Sequence, residues 1–175
     1  YASKDDMFDG HTYSKGARIL HMLRTYSGDT AFFQALNTYL TKFAFQSAEM
    51  HQLRLIFEGI TGQDYNWFFD QWAYQSGHPE LEISKRYDTL NGNLQLTIRQ
   101  IQDFKNHPLY QIPFSLEIHT PKGKNRYELW LKDEVNEYNI KTEDVPLWVD
   151  FDSEKYLLCE KKEEKPEAEW IYQYQ

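Results

Sequence analysis

The first half of the chain repeats its hydrophobic residues with the period of an amphipathic helix. Between residues 14 and 77, apolar positions recur three or four residues apart, as in the stripe Phe32, Phe33, Leu36 and Leu40. Such a stripe is typical of a helix that buries one face. The pattern predicts four consecutive helices in this region.

Residues that favour helix ends divide this region. Gly28 and Gly62 follow periodic segments and predict C-terminal stops, since glycine readily adopts the left-handed conformation found there. Asp29 or Thr30 and then Ser47 are suitable N-terminal caps for the second and third helices.

After Pro79 the hydrophobic period falls to two, which is typical of strands with one buried face. Turn residues separate the alternating segments, as at 91–93 and 121–124. Strands are predicted around residues 81–83, 94–98, 112–118, 127–131, 135–141, 146–150 and 155–159. The pattern predicts an antiparallel β-sandwich, and the whole chain is predicted to be α+β.

These patterns predict three sections of chain. Residues 1–78 are expected to be helical, residues 79–160 to form the β-sandwich, and residues 161–175 to be a charged linker with the start of a truncated next segment. The absence of an initial methionine indicates an excised piece of a longer protein.

Composition narrows the possible functions. A net charge of −8 argues against nucleic acid and against anionic membrane surfaces, because both require clustered Lys and Arg. No apolar run approaches the roughly 20 residues of a membrane span. The single cysteine, Cys159, fits a cytoplasmic, periplasmic or secreted protein, and no targeting segment decides among these compartments.

Common catalytic and metal-binding motifs are absent from the sequence. No two of the 6 histidines are four residues apart, so none is predicted to bind a metal as a helical pair. There is no Gly-x-Ser-x-Gly elbow and no phosphate-binding loop, and Cys159 is expected to be structural.

One segment carries a specific resemblance. Residues 8–24 include Tyr13-Ser14-Lys15-Gly16-Ala17, which resembles the Tyr-x-Lys-Gly-Ala block of the aminopeptidase N family of zinc peptidases (gluzincins). The resemblance continues in the same order through residues 28–33, 61–62, 67–72 and 77–81.

The resemblance implies a zinc-dependent aminopeptidase that acts on peptides, with residues 1–78 at the end of its thermolysin-like catalytic domain. It also implies that the phenol of Tyr13 is catalytic and donates a hydrogen bond to the oxyanion of the reaction. The family's His-Glu-x-x-His signature is absent here. The zinc ligands and the general-base glutamate are therefore expected in a missing upstream half, and this chain alone is expected to be inactive.

Other residues of the block have two interpretations each. Lys15 either holds the Tyr13 segment through an ion pair or is a solvated lysine, and His11 either lines the cleft or is an ordinary loop histidine. Gly16 is expected to allow close packing against a neighbour. The aromatic residues Trp67 and Trp72 are interpreted as helix core rather than substrate pocket.

Two alternatives from other functional classes remain open. The first is a non-catalytic scaffold or pseudo-peptidase, which broken zinc ligands upstream would favour. The second is a binding module whose sheets present Tyr110, Trp130 or Trp148 to a peptide or sugar, which a continuous exposed aromatic face would favour.

Overall fold

The computed structural model describes residues 11–173. The chain divides into two compact units, Tyr1–Ser76 and Gly77–Gln175. The first unit is helical, and the second consists of two mostly antiparallel sheets and a short helix. This arrangement confirms the α+β class predicted from the sequence. Within the described range, no helix is long and apolar enough to cross a membrane.

The helical unit contains four α-helices framed by two π-helical turns. In chain order its elements are the π-helical turn His11–Lys15, α1 (Gly16–Ser27), α2 (Asp29–Lys42), α3 (Met50–Thr61), α4 (Asn66–Phe69) and the π-helical turn Asp70–Tyr74. The fourth predicted helix is thus a short α-helix that continues in wider π geometry.

The predicted helix stops are confirmed, but the predicted caps are not. Gly28 and Gly62 end α1 and α3 with φ angles of 79° and 70°. Asp29 is the first residue of α2 rather than its side-chain cap, because its carboxylate pairs with Arg24 at 2.7 Å. The start of α3 is not capped by Ser47. It is closed by a capping box between Glu49 and Gln52.

An aromatic cluster forms the core of the helical unit. Phe57 is fully buried, and its ring centroid lies 5.9 Å from that of Phe32 and 6.0 Å from that of Tyr65. The predicted stripe of α2 is only partly buried, since Phe33 is 55% exposed and Leu40 is 67% exposed. The helix buries only the side of Phe32 and Ala35, so half of its apolar stripe faces outward.

The second unit contains a four-stranded sheet ordered β5-β2-β1-β7 and a three-stranded sheet ordered β4-β3-β6. Its elements are β1 (Glu80–Asp88), β2 (Asn93–Gln100), β3 (Ile112–Thr120), β4 (Gly123–Leu131), β5 (Val135–Lys141), β6 (Trp148–Phe151), β7 (Glu160–Glu163) and α5 (Glu167–Gln173). Neighbouring strands are antiparallel, except that β1 and β7 are parallel.

The two sheets contact each other through buried side chains. The ring of Phe114 on β3 lies 5.8 Å from that of Tyr138 on β5, and the Tyr138 hydroxyl donates a hydrogen bond to the Trp130 carbonyl at 2.6 Å. On β2, Leu94, Leu96 and Ile98 are buried, whereas Gln95, which lies between Leu94 and Leu96, is exposed. The period-two pattern therefore places one face of this strand in the core.

A buried polar network joins the end of β2 to the loop before β3. Gln100 donates to the Tyr110 carbonyl at 2.7 Å and accepts from the Tyr110 amide at 2.9 Å. Gln102 donates to Gln100 at 3.0 Å and to the Pro108 carbonyl at 2.9 Å. Side-chain amides thus satisfy backbone groups that no strand pairs at this end of the sheet.

The strand predicted at residues 155–159 is not formed. Asp152 and Lys155 have φ angles of 54° and 56°, which turn the chain sharply after β6. The Asp152 carboxylate then accepts hydrogen bonds from the amides of Tyr156 and Leu157 at 3.1 and 3.3 Å. Because these amides bond to a side chain, they do not pair in a sheet.

The segment 161–175, predicted to be a charged linker, is folded onto the sheet as far as the structure describes it. Strand β7 pairs with β1, and Lys85 on β1 contacts Glu163 at 2.9 Å and Glu169 at 2.5 Å. The side chains of Lys85, Glu163 and Glu169 are only 7%, 11% and 15% exposed. Most of the run stays exposed, and the contacts with Lys85 draw only Glu163 and Glu169 largely out of solvent.

Candidate functional site

Tyr13 lies in the π-helical turn His11–Lys15, directly before α1. Lys15 has helical angles of φ −66° and ψ −45°, so the turn continues into the helix without a break. The Tyr13 side chain is 64% exposed. A π-helical turn is uncommon and frequently occurs at functional sites. The turn therefore presents a neutral phenol donor at the entrance of a helix.

An apolar groove of about 820 Å³ opens beside this turn. Its wall is formed by both π-helical turns, α1, the start of α3, α4 and one side chain of α2. The lining side chains are mainly apolar: Lys15, Gly16, Ile19, Leu20, Leu23, Tyr39, Ala48, Met50, Leu53, Phe68, Phe69, Trp72, Ala73 and Gln75. Both π-helical turns thus contribute to one concave surface.

Lys15 is not the solvated lysine of the simpler interpretation. It is half-buried and forms part of the groove wall, and burial lowers the pKa of its ammonium group below the ordinary value of 10.5. A cation is less favourable in such surroundings than in water. Because Lys15 lies two residues after Tyr13 in the same turn, it is a candidate for fixing the conformation of that turn.

Gly16 does not have the close neighbour that the sequence predicts. A Cβ atom built at this position meets nothing within 4 Å in the described part of the chain. Gly16 instead lies in the open wall of the groove. The backbone of His11 belongs to the π-helical turn, but its side chain is outside the described side chains, so its two interpretations stay predictions.

The aromatic residues before the end of the helical unit are packed. Phe68 and Trp72 are buried, and the Trp67 ring lies 5.9 Å from that of Tyr26. They were interpreted as helix core rather than substrate pocket, and the burial fits this assignment. Phe68 and Trp72 also line the groove, so they form its floor.

The described residues do not form a metal site by themselves. Within residues 11–173, no group of three or more His, Cys, Asp or Glu side chains is arranged to hold a metal ion. Three histidines have an acidic neighbour instead: His51 with Glu49, His78 with Glu160 and His119 with Glu117. Such pairs leave too few ligands for a zinc site.

The aromatic residues of the sheets do not form an exposed binding face. Tyr110 is fully buried, and burial raises the pKa of its hydroxyl to about 12. Trp148 is half-buried with its ring 4.7 Å from that of His119. Trp130 is partly exposed, at 41%. The three side chains proposed for the binding module therefore provide no continuous exposed surface. The observation that would have favoured a binding module is not made.

Comparison with known proteins matches residues 1–72 to the model of the peptidase family M1 domain. This range includes the π-helical turn with Tyr13 and most of the groove beside it. The helical unit belongs to peptidase family M1.

Similarity to M1 aminopeptidases extends beyond the helical unit. The chain is 27% identical over 154 residues to the puromycin-sensitive aminopeptidase of Caenorhabditis elegans, covering 85% of this chain. It is 32% identical over 130 residues to the tricorn protease-interacting factor F2 of Thermoplasma volcanium, covering 74% of this chain. In both cases the chain spans only 16% of the relative's length.

A solved structure has the same fold as this M1 chain. The crystal structure of Legionella pneumophila aminopeptidase A in complex with aspartic acid matches 98% of the chain with a TM-score of 0.82. Sequence identity is 16%, and the chain covers 20% of that structure. At this identity the match supports the fold alone.

Sequence reasoning identified Tyr13 but missed the surroundings that the structure adds. The π geometry at both ends of the helical unit has no composition signal, because His11–Lys15 and Asp70–Tyr74 contain ordinary helix residues. The groove also has no local signal, since its lining comes from six separate elements. Among the lining residues, the sequence suggested roles for Lys15, Gly16 and Trp72, but not that they share one surface.

Proposed function

We propose that this chain is a section of a zinc-dependent aminopeptidase that releases N-terminal residues from peptides. In this proposal Tyr13 donates a hydrogen bond to the oxyanion that forms at the scissile carbonyl. The observation that carries the proposal is the exposed Tyr13 phenol in a π-helical turn, within the residues that match the M1 domain.

The physical logic is that of a preorganised donor. A phenol fixed at the entrance of a helix reaches developing negative charge without losing much side-chain freedom during the reaction. A single donor of this kind accelerates acyl transfer by about 10²- to 10³-fold. The backbone of the turn continues into α1, so the Tyr13 phenol is attached to a regular element rather than to a loop.

Zinc enters the proposal only as the cofactor of the longer protein. The described residues form no group arranged to hold a metal ion, and in this proposal the zinc ligands and the general-base glutamate lie in a part of the protein outside this chain. The length of the relatives supports this placement, because this chain spans 16% of each of two of them. The chain alone is therefore expected to be inactive.

The test uses the longer protein and a chromogenic amino-acid amide. We expect Tyr13→Phe to lower kcat by about 10²- to 10³-fold, with KM changed little and bound zinc unchanged by metal analysis. Tyr74→Phe is the matched control, since Tyr74 is a similarly exposed tyrosine (57%) in the other π-helical turn. This control is expected to retain wild-type kcat.

Other results of these measurements would favour other hypotheses. Full activity of Tyr13→Phe would make Tyr13 a structural residue but would not contradict the aminopeptidase activity. A wild-type protein that binds no zinc and hydrolyses no amide would favour the scaffold. Turnover by the 175-residue chain alone would contradict the placement of the zinc site elsewhere.

A further inference from the structure

The turn that joins β1 to β2 contains the only Asn-Gly pair of the sequence, Asn91-Gly92. In such a pair the backbone nitrogen of the glycine can attack the carbonyl carbon of the asparagine side chain and form a five-membered succinimide. Glycine favours this attack, because it has no Cβ atom to hinder the approach of its nitrogen. The pair is therefore a chemically reactive site, and it lies outside the groove and the Tyr13 turn.

Asn91 is open to solvent at the tip of this hairpin. Strand β1 ends at Asp88 and β2 begins at Asn93, so residues 89–92 form the turn. Asn91 is exposed, and the preceding Leu90 is 94% exposed. Water therefore has access to a succinimide at this position and can open its ring to aspartate or isoaspartate.

Hydrogen bonds to Asp88 restrain the Asn91 side chain. The Asn91 side-chain amide donates to one oxygen of the Asp88 carboxylate at 2.7 Å. The other oxygen accepts from the backbone amides of Leu90 at 2.9 Å and of Asn91 at 3.3 Å. These bonds lower the pKa of the Asp88 carboxyl, and the bond from the Asn91 side chain has the largest effect. A side chain bound in this way has less freedom to reach the Gly92 nitrogen, so Asp88 slows the attack.

The same contact determines what the modification does. Deamidation removes the nitrogen that donates to Asp88 and leaves a carboxylate at position 91. Two carboxylates then face each other where an amide and a carboxylate were bonded at 2.7 Å. Like charges at this separation repel, so an attractive contact becomes a repulsive one. The modified turn is therefore held less firmly than the original turn.

Gly92 connects the turn to the chain that follows β5. Its carbonyl accepts a hydrogen bond from the Thr142 amide at 3.0 Å, and its φ angle is 60°. A Cβ atom built on Gly92 would lie 3.1 Å from the Thr142 carbonyl oxygen, so the fold itself favours glycine here. Isoaspartate adds a carbon atom to the main chain directly before Gly92. The displacement therefore reaches the contact with Thr142.

We propose that Asn91 is a site of spontaneous deamidation, that Asp88 restrains the reaction, and that the modification opens the turn between β1 and β2. In the first step the Gly92 nitrogen bonds to Cγ of Asn91, the bond from Cγ to Nδ2 breaks, and ammonia leaves with the Gly92 amide proton. Water then adds to one carbonyl of the succinimide and opens the ring. The net reaction exchanges ammonia for water, so neither an oxidant nor a cofactor is required.

The first test follows the reaction by peptide mapping of the longer protein as it ages in neutral buffer. Cleavage after Arg86 and Arg99 releases the peptide 87–99, which contains both Asn91 and its control, Asn93. We expect NH to be exchanged for O at Asn91 and not at Asn93, because Asn93 is followed by leucine. The synthetic peptide 87–99 provides the unrestrained reference and should react faster at Asn91.

A variant tests the restraint. Asp88→Ala should increase the rate at Asn91 several-fold, because the side chain loses its partner. Thr89→Ala at an exposed position of the same turn is the matched control and should leave the rate unchanged. An Asn91 that stays intact in the longer protein while the peptide is modified would overturn the proposal. Equal rates in wild type and Asp88→Ala would overturn the role of Asp88.

The second test introduces the product directly. Asn91→Asp should reduce the amide protection of residues 88–93 and of Thr142, and Asn91→Ala should reduce it less, because alanine removes the donor without adding a charge. Adding Asp88→Asn to Asn91→Asp removes the repulsion and should restore part of the protection. Wild-type protection in Asn91→Asp would show that the modification does not open the turn. None of these measurements depends on the proposed aminopeptidase activity.

Discussion

A groove in the helical unit and a hollow in the sheet unit have opposite chemistry. The helical unit has an apolar groove of about 820 Å³ with one half-buried cation, Lys15. The sheet unit has a hollow of about 390 Å³ between the β3–β4 turn and the loop after β5. There Lys122 contacts Glu143 at 3.4 Å and Asp144 at 3.0 Å. Lys122 is thus paired within the second hollow, whereas the lining of the first groove is mainly apolar.

The buried cores of the two units also differ in polarity, and the helical core is the more apolar. Rings such as Phe57 and Trp72 dominate the helical core, and Gln71 is the one buried polar side chain among its described residues. The sheet unit buries several polar side chains, including Gln100 and Asp152, and hydrogen bonds satisfy them internally. Buried polar groups with partners specify one arrangement of the backbone. The comparison shows that internally satisfied polar groups specify the sheet unit, whereas packed aromatic rings dominate the helical unit.

The strongest test of this comparison is a truncation in the helical core. Phe57→Ala removes a fully buried ring and should lower the free energy of unfolding of the helical unit by about 3–5 kcal/mol. Hydrogen exchange of α3 amides measures the loss, and β3 amides report whether it spreads. Leu55→Ala on the same helix is the control, since Leu55 is 53% exposed, and should change stability by less than about 0.5 kcal/mol.

Equal loss of amide protection in α3 and β3 of Phe57→Ala would show that the two units unfold as one cooperative body, contrary to the contrast between their interiors. Loss of protection confined to α3 would show that the helical unit unfolds by itself.

The second test removes the central charge of the sheet unit. Lys85→Met removes the cation that contacts both Glu163 and Glu169 and leaves Glu163 only its longer contact with Lys165 at 3.7 Å, which should cost about 3 kcal/mol. The fastest exchange is expected in β7, because its contact with β1 is then opposed by uncompensated charge. Arg86→Met, at an exposed position on the same strand, should have little effect.

A compensating variant checks the cause. Combining Lys85→Met with Glu163→Gln and Glu169→Gln removes the unpaired charges and should recover part of the lost stability. Unchanged exchange in β7 of Lys85→Met would show that the charge cluster does not hold this segment.

Local sequence patterns predicted most helices and strands, whereas the remaining features depend on contacts between distant residues. The hydrophobic periods of 3.6 and 2 located α1 to α3 and six strands, because burial of one face requires apolar residues at regular spacing. No such pattern marks β7, which pairs with β1 and places Glu163 against Lys85, 78 residues earlier in the chain. Tyr13 was predicted through a resemblance, whereas the groove required six elements to be placed in space.

The smallest expected effect concerns the pH dependence of the sheet unit. Burial raises the pKa of the Asp152 carboxyl above its ordinary value of 3.8, despite the opposing charge of Lys161. The folded protein therefore holds this proton more tightly than the unfolded chain does. The resulting stabilisation is present below about pH 4 and is lost as the pH rises through the folded pKa.

Asp152→Asn should consequently be more stable relative to wild type at pH 7 than at pH 3. The amide stays neutral and retains an oxygen that can accept from the Tyr156 amide, so any loss in hydrogen bonding is similar at both pH values. Urea unfolding at the two pH values measures the difference, and Asp133→Asn at an exposed position corrects for the loss of one surface charge. A difference of the opposite sign would mean that the turn stabilises the carboxylate more than burial penalises it. In that case the ionised form of Asp152, through its hydrogen bonds to the backbone, would hold the chain between β6 and β7.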